Sequence, residues 1–340
     1  MPESNPVAWP WFRARLAGLR PAPRPAPVAP GAPRVRTAVV TDSAAALPVD
    51  WAATNAPDGA LTVIPMPVMV GADIYGEGED DILETIALAL AAGKAVKTSR
   101  PSPGQFEQAY RTAERLGFES VVSIHLSGDL SGTADAARLA ATRVQIPVEV
   151  VDSRTVGMAQ GIAVQAAVHA ASAGAEAAAV AAAAADQAGR TSVRFYVPSL
   201  EQLRRGGRIG AAASLVGTML AIKPLLAVDG GKIVPLEKVR SAARAVARLE
   251  ELVAAEVAAH PLPVPRLALH HFGNPAEAEA LAERLAVALP QCAPAQISSL
   301  PAVLAAHAGL GVLAVIVAHD APGDQSGGSW PTGAGLPLSL

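Results

Sequence analysis

The feature of this sequence that most limits its fold is an alternation of short, strand-like runs with longer helical segments. In the first half, strands are predicted at residues 36–40, 121–126 and 148–151, and a helix is predicted at 81–92, ending at Gly93. Alternation of this kind is typical of α/β proteins, in which a parallel sheet carries helices on both faces. The sequence therefore predicts an α/β fold whose N-terminal part holds a parallel sheet flanked by helices.

The second half of the chain differs because it contains a predicted β-hairpin. Residues 223–228 and 232–239 are β-rich, and Asp229 and Gly230 between them are common in tight hairpin turns. We therefore expect a C-terminal α/β domain with a mixed sheet. The other elements predicted in this half are strands at 194–197, 267–270 and 312–318 and helices at 241–259 and 275–289.

Composition along the chain predicts four parts. Residues 1–34 are rich in Pro, Ala and Arg and are expected to form a disordered extension. Residues 35–189 are assigned to an N-terminal α/β domain and 190–320 to a C-terminal α/β domain. Residues 321–340 are rich in Gly, Ser and Pro and are predicted to be a flexible tail.

Composition also excludes several classes of protein. The net charge of −3 argues against nucleic acid as the main partner, because phosphate backbones attract basic proteins. With the single Cys292, the chain is predicted to have no internal disulfide and no Cys-based zinc site. The Ala-rich stretch 162–188 is interrupted by polar residues, so no integral membrane segment is expected. Together these features predict a cytoplasmic protein.

Small hydroxyl residues collect in four loops that follow strands or precede helices, at residues 41–43, 97–102, 126–133 and 151–153. Ligands of open α/β sheets bind at the carboxyl ends of the strands, so several of these loops could converge on one site. In the third loop, Gly128 and Gly132 precede a helix that begins at Thr133, an arrangement that directs backbone N–H groups at an anion. The alternative is an ordinary tight connection from strand to helix.

A histidine, either cationic or donating a hydrogen bond, and an arginine in the second half are further candidates. His307 lies in a small-residue segment, predicted to be a turn, where it could meet a carboxylate or could be an ordinary turn histidine. Arg208 follows the glycines that end a predicted helix, so it needs a partner other than the helix dipole. The seven histidines show no metal-ligand spacing, and no metal or cofactor is expected.

Taken in order, these segments resemble the DegV family over about residues 36–319. The resemblance implies a two-domain α/β protein that has no catalysis of its own and encloses a long-chain fatty acid. It also implies a partner, a bacterial fatty acid kinase, which phosphorylates the bound acid to an acyl phosphate. The matching segments are Thr41-Asp42-Ser43 with Leu47-Pro48, Lys97-Thr98-Ser99, Pro101 to Phe106, Leu130 to Thr133, Val151-Asp152-Ser153, Leu203 to Ile209, Ile222-Lys223-Pro224, Lys238-Val239-Arg240 and the segment around His307.

The resemblance also implies which residues bind the fatty-acid carboxylate and the kinase. Arg240 matches a position implicated in docking the kinase, and Arg100 stands where the family usually has Gln. In each of the pairs Thr98/Ser99 and Ser127/Ser131, which hydroxyl contacts the acid remains open. The implied carboxylate-binding residues are Thr98, Ser99, Ser127, Ser131, Gly132, Thr133, Arg208 and His307.

Two other functions remain as alternatives. One is a hydrolase or transferase that acts through Ser127 or Ser131 with His307, although the sequence has no Gly-x-Ser-x-Gly elbow. The other is a regulatory protein for which the lipid is only a signal.

Overall fold

The computed structural model describes residues 35–320, except 57–58, 78–81, 216–221 and 261–262. The predicted extension at 1–34 and the predicted tail at 321–340 lie outside the described residues.

The described residues contain thirteen strands and ten α-helices. The strands are β1 (Thr37–Asp42), β2 (Leu61–Ile64), β3 (Val68–Val70), β4 (Asp73–Tyr75), β5 (Val96–Thr98), β6 (Ser120–His125), β7 (Val148–Asp152), β8 (Thr191–Tyr196), β9 (Lys223–Asp229), β10 (Lys232–Val239), β11 (Arg266–His271), β12 (Gln296–Ser299) and β13 (Leu313–Ala318). The helices are α1 (Val49–Asn55), α2 (Ile82–Ala91), α3 (Pro103–Arg115), α4 (Thr133–Ala141), α5 (Met158–Ser172), α6 (Ala177–Gly189), α7 (Glu201–Arg205), α8 (Ala242–Ala259), α9 (Pro275–Ala288) and α10 (Ala302–Ala308).

The first sheet is parallel, with the strand order β2-β1-β6-β7. Because successive side chains of a strand point to opposite faces, β1 contributes to two separate cores. Ala38 and Val40 pack towards Phe106 and Tyr110 of α3, whereas Val39 packs towards α5 and α6. The prediction of a parallel sheet with helices on both faces is therefore confirmed.

The second sheet is mixed, with the strand order β10-β9-β8-β13-β11-β12, and only β11 and β12 pair in parallel. The predicted hairpin is confirmed as β9 and β10. Its turn lies one residue later than predicted, at Gly230 and Gly231, because Asp229 pairs with Lys232 in the ladder. Both glycines have positive φ, 55° and 89°, as a two-residue turn of this hand requires.

A third, three-stranded antiparallel sheet of order β4-β3-β5 was not predicted. The segment 61–70 divides at Pro65 and Pro67. Its first part is β2 in the parallel sheet, and its second part is β3 in this small sheet. The division brings β5, which ends at Thr98, beside β3 rather than beside the larger sheets.

The segment around His307 is a helix and not the predicted turn. This helix, α10, has seven residues and ends at Gly309, which has a φ of 82°. Its first turn is stabilised by the carboxylate of Glu77, which accepts a hydrogen bond from the Ala302 N–H at 2.8 Å. His307 consequently lies in the last turn of a helix packed against α2 and α7.

Helix α7 begins at Glu201. Ser199 accepts a hydrogen bond from the Glu201 N–H at 3.1 Å. The helix ends as predicted, because Gly207 adopts a φ of 70° and the Arg208 N–H returns to the Leu203 carbonyl at 2.9 Å. The domain boundary predicted at 189/190 falls between α6 and β8 and stays a prediction. Of the helices within the described residues, none is long and apolar enough to cross a membrane.

Candidate functional site

A cavity of about 920 Å³, including its opening to solvent, lies between the second sheet, the helix α10 and the loops of the first sheet. Most of its wall is apolar, because one face of the second sheet and the apolar side of α10 both turn towards it. Six of the apolar residues that line it are Met66, Phe195, Ile233, Val303, Leu304 and Ile316.

Polar side chains from four separate parts of the chain line the same cavity. Thr98 and Ser99 come from the end of β5, Ser131 from the loop before α4, and Arg208 and His307 from the ends of α7 and α10. These are five of the eight residues predicted to bind a carboxylate. The structure therefore brings together side chains that are as many as 209 positions apart.

His307 is joined directly to Thr98, with 2.7 Å between the imidazole Nε2 and the hydroxyl Oγ1. Burial, together with a smaller effect of the nearby Arg208 charge, lowers the pKa of His307 to about 4. The imidazole is therefore neutral at pH 7. Its Nδ1 is buried without a hydrogen-bond partner, so we assign the proton to Nε2, where Thr98 can accept it.

Arg208 is fixed beside His307 by two backbone carbonyls. Its Nε donates to the Leu130 carbonyl at 3.1 Å, and Nη1 donates to the Gly206 carbonyl. The left-handed turn at Gly207 places the arginine beyond the end of α7, where it can reach the loop of the first sheet. Since these bonds use only part of the five N–H groups of the guanidinium, donors remain for a ligand.

The two candidate serines of the loop before α4 have different surroundings. Ser127 is fully buried, and its hydroxyl donates to the Gly231 carbonyl in the hairpin turn at 2.6 Å. Ser131 lines the cavity, and its hydroxyl lies 2.8 Å from that of the buried Thr133. The geometry therefore favours Ser131 over Ser127 as a ligand contact, whereas both Thr98 and Ser99 line the cavity.

The predicted kinase-docking residue lies apart from these groups. Arg240 is exposed on the bend between β10 and α8 and does not line the cavity. Its role stays a prediction.

A buried network that the sequence reasoning missed resembles a catalytic triad. The His125 Nδ1 lies 2.9 Å from the Asp42 carboxylate, and the His125 Nε2 lies 2.7 Å from the Ser123 hydroxyl. All three side chains are fully buried, Tyr110 donates to the same serine at 2.9 Å, and none lines the cavity. The sequence held part of the signal, because residues 123 and 125 of one strand share a face, but the pairing of β1 with β6 that adds Asp42 is seen only in the structure.

A second missed residue is His270, which lines the cavity from β11. Its Nε2 accepts a hydrogen bond from the Met158 N–H at 2.9 Å, and its Nδ1 lies 3.0 Å from the Ser298 hydroxyl. Burial lowers its pKa to about 4. His270 is therefore a neutral cap on the N-terminus of α5.

Comparison with known proteins places the chain in a family. The family model described as "Uncharacterised protein, DegV family" matches residues 36–320. The chain belongs to the DegV family. A DegV domain-containing protein of Streptomyces coelicolor is 43% identical over 280 residues, which are 82% of this chain and 97% of the relative. The family predicted from the sequence is thus confirmed.

Solved DegV structures share the fold. A DegV family protein from Thermus thermophilus, described by its fatty acid binding, superposes with a TM-score of 0.77 at 31% identity, covering 84% of this chain and 100% of its own. DegV from Bacillus subtilis, described as a fatty acid binding protein, gives 0.74 at 28% identity, covering 84% and 99%. The predicted α/β fold with a parallel and a mixed sheet agrees with these structures.

Proposed function

We propose that this chain is a fatty-acid carrier, which holds a long-chain acid in the cavity and presents its carboxylate to a separate fatty acid kinase. The observation that carries the proposal is an apolar cavity whose polar side chains come together as Thr98, Ser131, Arg208 and His307. The fatty-acid binding of DegV relatives supports it.

The acyl tail supplies most of the affinity. At about 0.8 kcal/mol for each buried CH₂, a tail of about fifteen methylenes gives on the order of 12 kcal/mol before the costs of association are subtracted. The apolar walls, built from residues such as Phe195 and Ile316, offer no polar group that a tail would leave without a partner.

The head group is bound by donors that carry little net charge. With the His307 proton on Nε2 and given to Thr98, the Thr98 hydroxyl is free to donate to a carboxylate oxygen. Arg208, held by two backbone carbonyls, supplies a positive charge beside it. A carboxylate held in this way is hydrogen-bonded, so its desolvation does not cancel the gain from the tail.

A separate kinase would supply the nucleotide chemistry. The sequence contains no Gly-x-x-x-x-Gly-Lys-Ser/Thr loop, and the cavity is suited to the acid rather than to a nucleotide. In this scheme the chain positions the acceptor oxygen, and the kinase contributes the metal ion and the transferred phosphoryl group.

The geometry gives no support to the hydrolase alternative. The hydroxyls of Ser127 and Ser131 are hydrogen-bonded to Gly231 and Thr133, whereas His307 bonds Thr98. Labelling with a fluorophosphonate is expected to fail for both serines and for the buried Ser123.

Native mass spectrometry of the purified full chain tests the proposal. We expect a population heavier by the mass of one fatty acid, and saturable binding of palmitate after delipidation. A protein that purifies without lipid and does not bind palmitate would contradict the carrier function. Incubation with ATP and a cognate kinase then distinguishes carrier from sensor, because only the carrier yields acyl phosphate.

A further inference from the structure

Arg100 is a cationic residue of the cavity that the proposed carboxylate site does not use. It follows β5 and lines the cavity beside Thr98 and Ser99. Its side chain is exposed, and it forms no hydrogen bond or ion pair with any residue that the structure describes. The guanidinium therefore has all its donors available.

The guanidinium of Arg100 lies directly over the backbone of Gly132. A Cβ atom added to Gly132 would be only 2.4 Å from Arg100 Nη1. Gly132 is the residue that precedes α4, whose first N–H groups give this end of the helix a partial positive charge. Two residues earlier, the Leu130 carbonyl binds Arg208. The segment from Leu130 to Gly132 is thus contacted by two guanidinium groups.

These contacts concentrate positive charge on one part of the cavity. Its described lining contains two arginines, Arg100 and Arg208, and no aspartate or glutamate. Asp129, the residue before Leu130, does not line the cavity and lies 3.7 Å from Lys232. A single carboxylate needs only one of these arginines, so the second one matches a second negative charge.

We infer that Arg100 is a specificity-determining residue, which makes this site prefer a dianionic head group, such as that of an acyl phosphate or an alkyl phosphate, to a carboxylate on the same tail. The inference rests on the proposed function, because it assumes that the tail occupies the cavity. In the proposed cycle, Arg100 retains the phosphorylated product until it is passed on.

Paired binding measurements on the full chain test this role. Palmitate carries one negative charge, whereas hexadecyl phosphate, with a sixteen-carbon tail, is mainly a dianion at pH 8 since its second pKa is near 6. Both ligands would be titrated by calorimetry into the delipidated wild type and into the variants Arg100→Gln, Arg100→Lys and Gly132→Ala. Arg115→Gln, on the exposed last turn of α3, is the matched control for loss of one positive charge.

We expect Arg100→Gln to lower the affinity for hexadecyl phosphate about tenfold, equivalent to about 1.4 kcal/mol, and the affinity for palmitate less than twofold. Arg100→Lys should keep part of the preference, and Arg115→Gln should change neither affinity. Gly132→Ala, which displaces the Arg100 guanidinium, should lower the affinity for hexadecyl phosphate. In the double variant with Arg100→Gln it should have no added effect on that affinity.

Two results would overturn the inference while leaving the carrier proposal intact. One is that Arg100→Gln lowers the affinity for both ligands equally. The other is that it lowers neither affinity although the wild type binds palmitate. If the wild type binds neither ligand, the carrier proposal itself fails and the role of Arg100 fails with it. Thermal melting of each variant, expected to match the wild type for the exposed Arg100, separates these outcomes from misfolding.

Discussion

His307 depends for its position on a glycine that follows the last residue of α7. A Cβ atom added to Gly206 would lie 2.2 Å from the His307 Nδ1 and 3.2 Å from the Gln202 carbonyl. Because the imidazole also bonds Thr98 on its other nitrogen, it cannot move aside without breaking that bond. The absence of a side chain at Gly206 is therefore part of the proposed head-group site.

Gly206→Ala should lower the affinity for palmitate about tenfold, since the added methyl group displaces the His307 imidazole from Thr98. Titration of the delipidated protein measures the change. Gly189→Ala is the matched control, because a Cβ at this helical position meets nothing within 4 Å. Equal affinities for Gly206→Ala and wild type would mean that His307 is not needed at this position for binding.

At the scale of single residues, the sequence predicted which side chains line the cavity better than it predicted their hydrogen-bond partners. Thr98, Ser131, Arg208 and His307 were predicted from loop composition and family resemblance, and the structure places all four on the cavity. The different surroundings of Ser127 could not be predicted, because its hydroxyl is held by a carbonyl 104 residues away. A local pattern contains no information about such a contact.

Among the secondary structure elements, those with a strong pattern were predicted and the short ones were not. Strands β1, β6 and β7 have five or six residues and contain at least two valines each, so their pattern was sufficient. By contrast, β4 and β5 have three residues each, and α10 has seven. Elements this short gain their stability from tertiary contacts, such as that of Glu77 with the start of α10, rather than from propensity.

The hairpin of β9 and β10 is an element with a second role, because its turn holds the loop before α4. Ser127, in that loop, donates to the Gly231 carbonyl at 2.6 Å. Arg154, in the loop after β7, donates to the Gly230 carbonyl at 2.6 Å and fixes the other side of the turn. The loop before α4 also carries Ser131, whose backbone N–H bonds the Ser127 carbonyl at 3.0 Å. The turn thus keeps the cavity-lining serine in place.

Ser127→Ala should lower the free energy of unfolding by about 1–2 kcal/mol, since it leaves the buried Gly231 carbonyl without this donor. Amide exchange at Leu130 and Ser131 should become faster, whereas palmitate affinity should change less than about threefold. Urea unfolding, hydrogen exchange and titration measure the three effects. Thr142→Ala, which removes an exposed hydroxyl, is the control.

The opposite pattern would revise the assignment of the two serines. If Ser127→Ala abolished palmitate binding with the stability unchanged, Ser127 and not Ser131 would be the serine that contacts the acid. Ser131→Ala in the same assay completes the comparison, and its palmitate affinity is expected to fall.

At the scale of the whole molecule, the proposed function needs a surface for the kinase that is separate from the lipid site. Arg240 and Arg244 are both exposed, and neither lines the cavity. Arg240→Ala should leave palmitate affinity unchanged but reduce acyl phosphate formation with a cognate kinase at least severalfold. Arg244→Ala is the matched control, and equal effects of the two changes would argue against a specific role for Arg240.

The sequence also predicted the two kinds of sheet but not their arrangement. Strand–helix alternation distinguished the parallel half from the half with a hairpin. The strand order β10-β9-β8-β13-β11-β12 depends on which strands meet after long connections, and periodicity does not encode that. The cavity, which lies where this sheet faces α10 and the loops of the first sheet, could therefore not be located from the sequence.

Two buried histidines should make the stability of the whole fold depend on pH. Burial lowers the pKa of both His270 and His307 to about 4, whereas an unfolded histidine titrates near 6.5. Between these values the unfolded chain binds more protons than the folded one, so the free energy of unfolding rises with pH. Each histidine should therefore reduce stability by on the order of 3 kcal/mol as the pH falls from 7 to 4.

Urea unfolding of His270→Gln at pH 7.5 and pH 5 isolates one of these contributions. Gln cannot be protonated, so the loss of stability between the two pH values should be smaller than in the wild type by roughly 2 kcal/mol. His169→Gln, at an exposed position of α5, controls for the removal of an imidazole. If His270→Gln and the wild type lost the same stability between the two pH values, His270 would titrate alike in the folded and unfolded chains, and a neutral cap on α5 would be the wrong description.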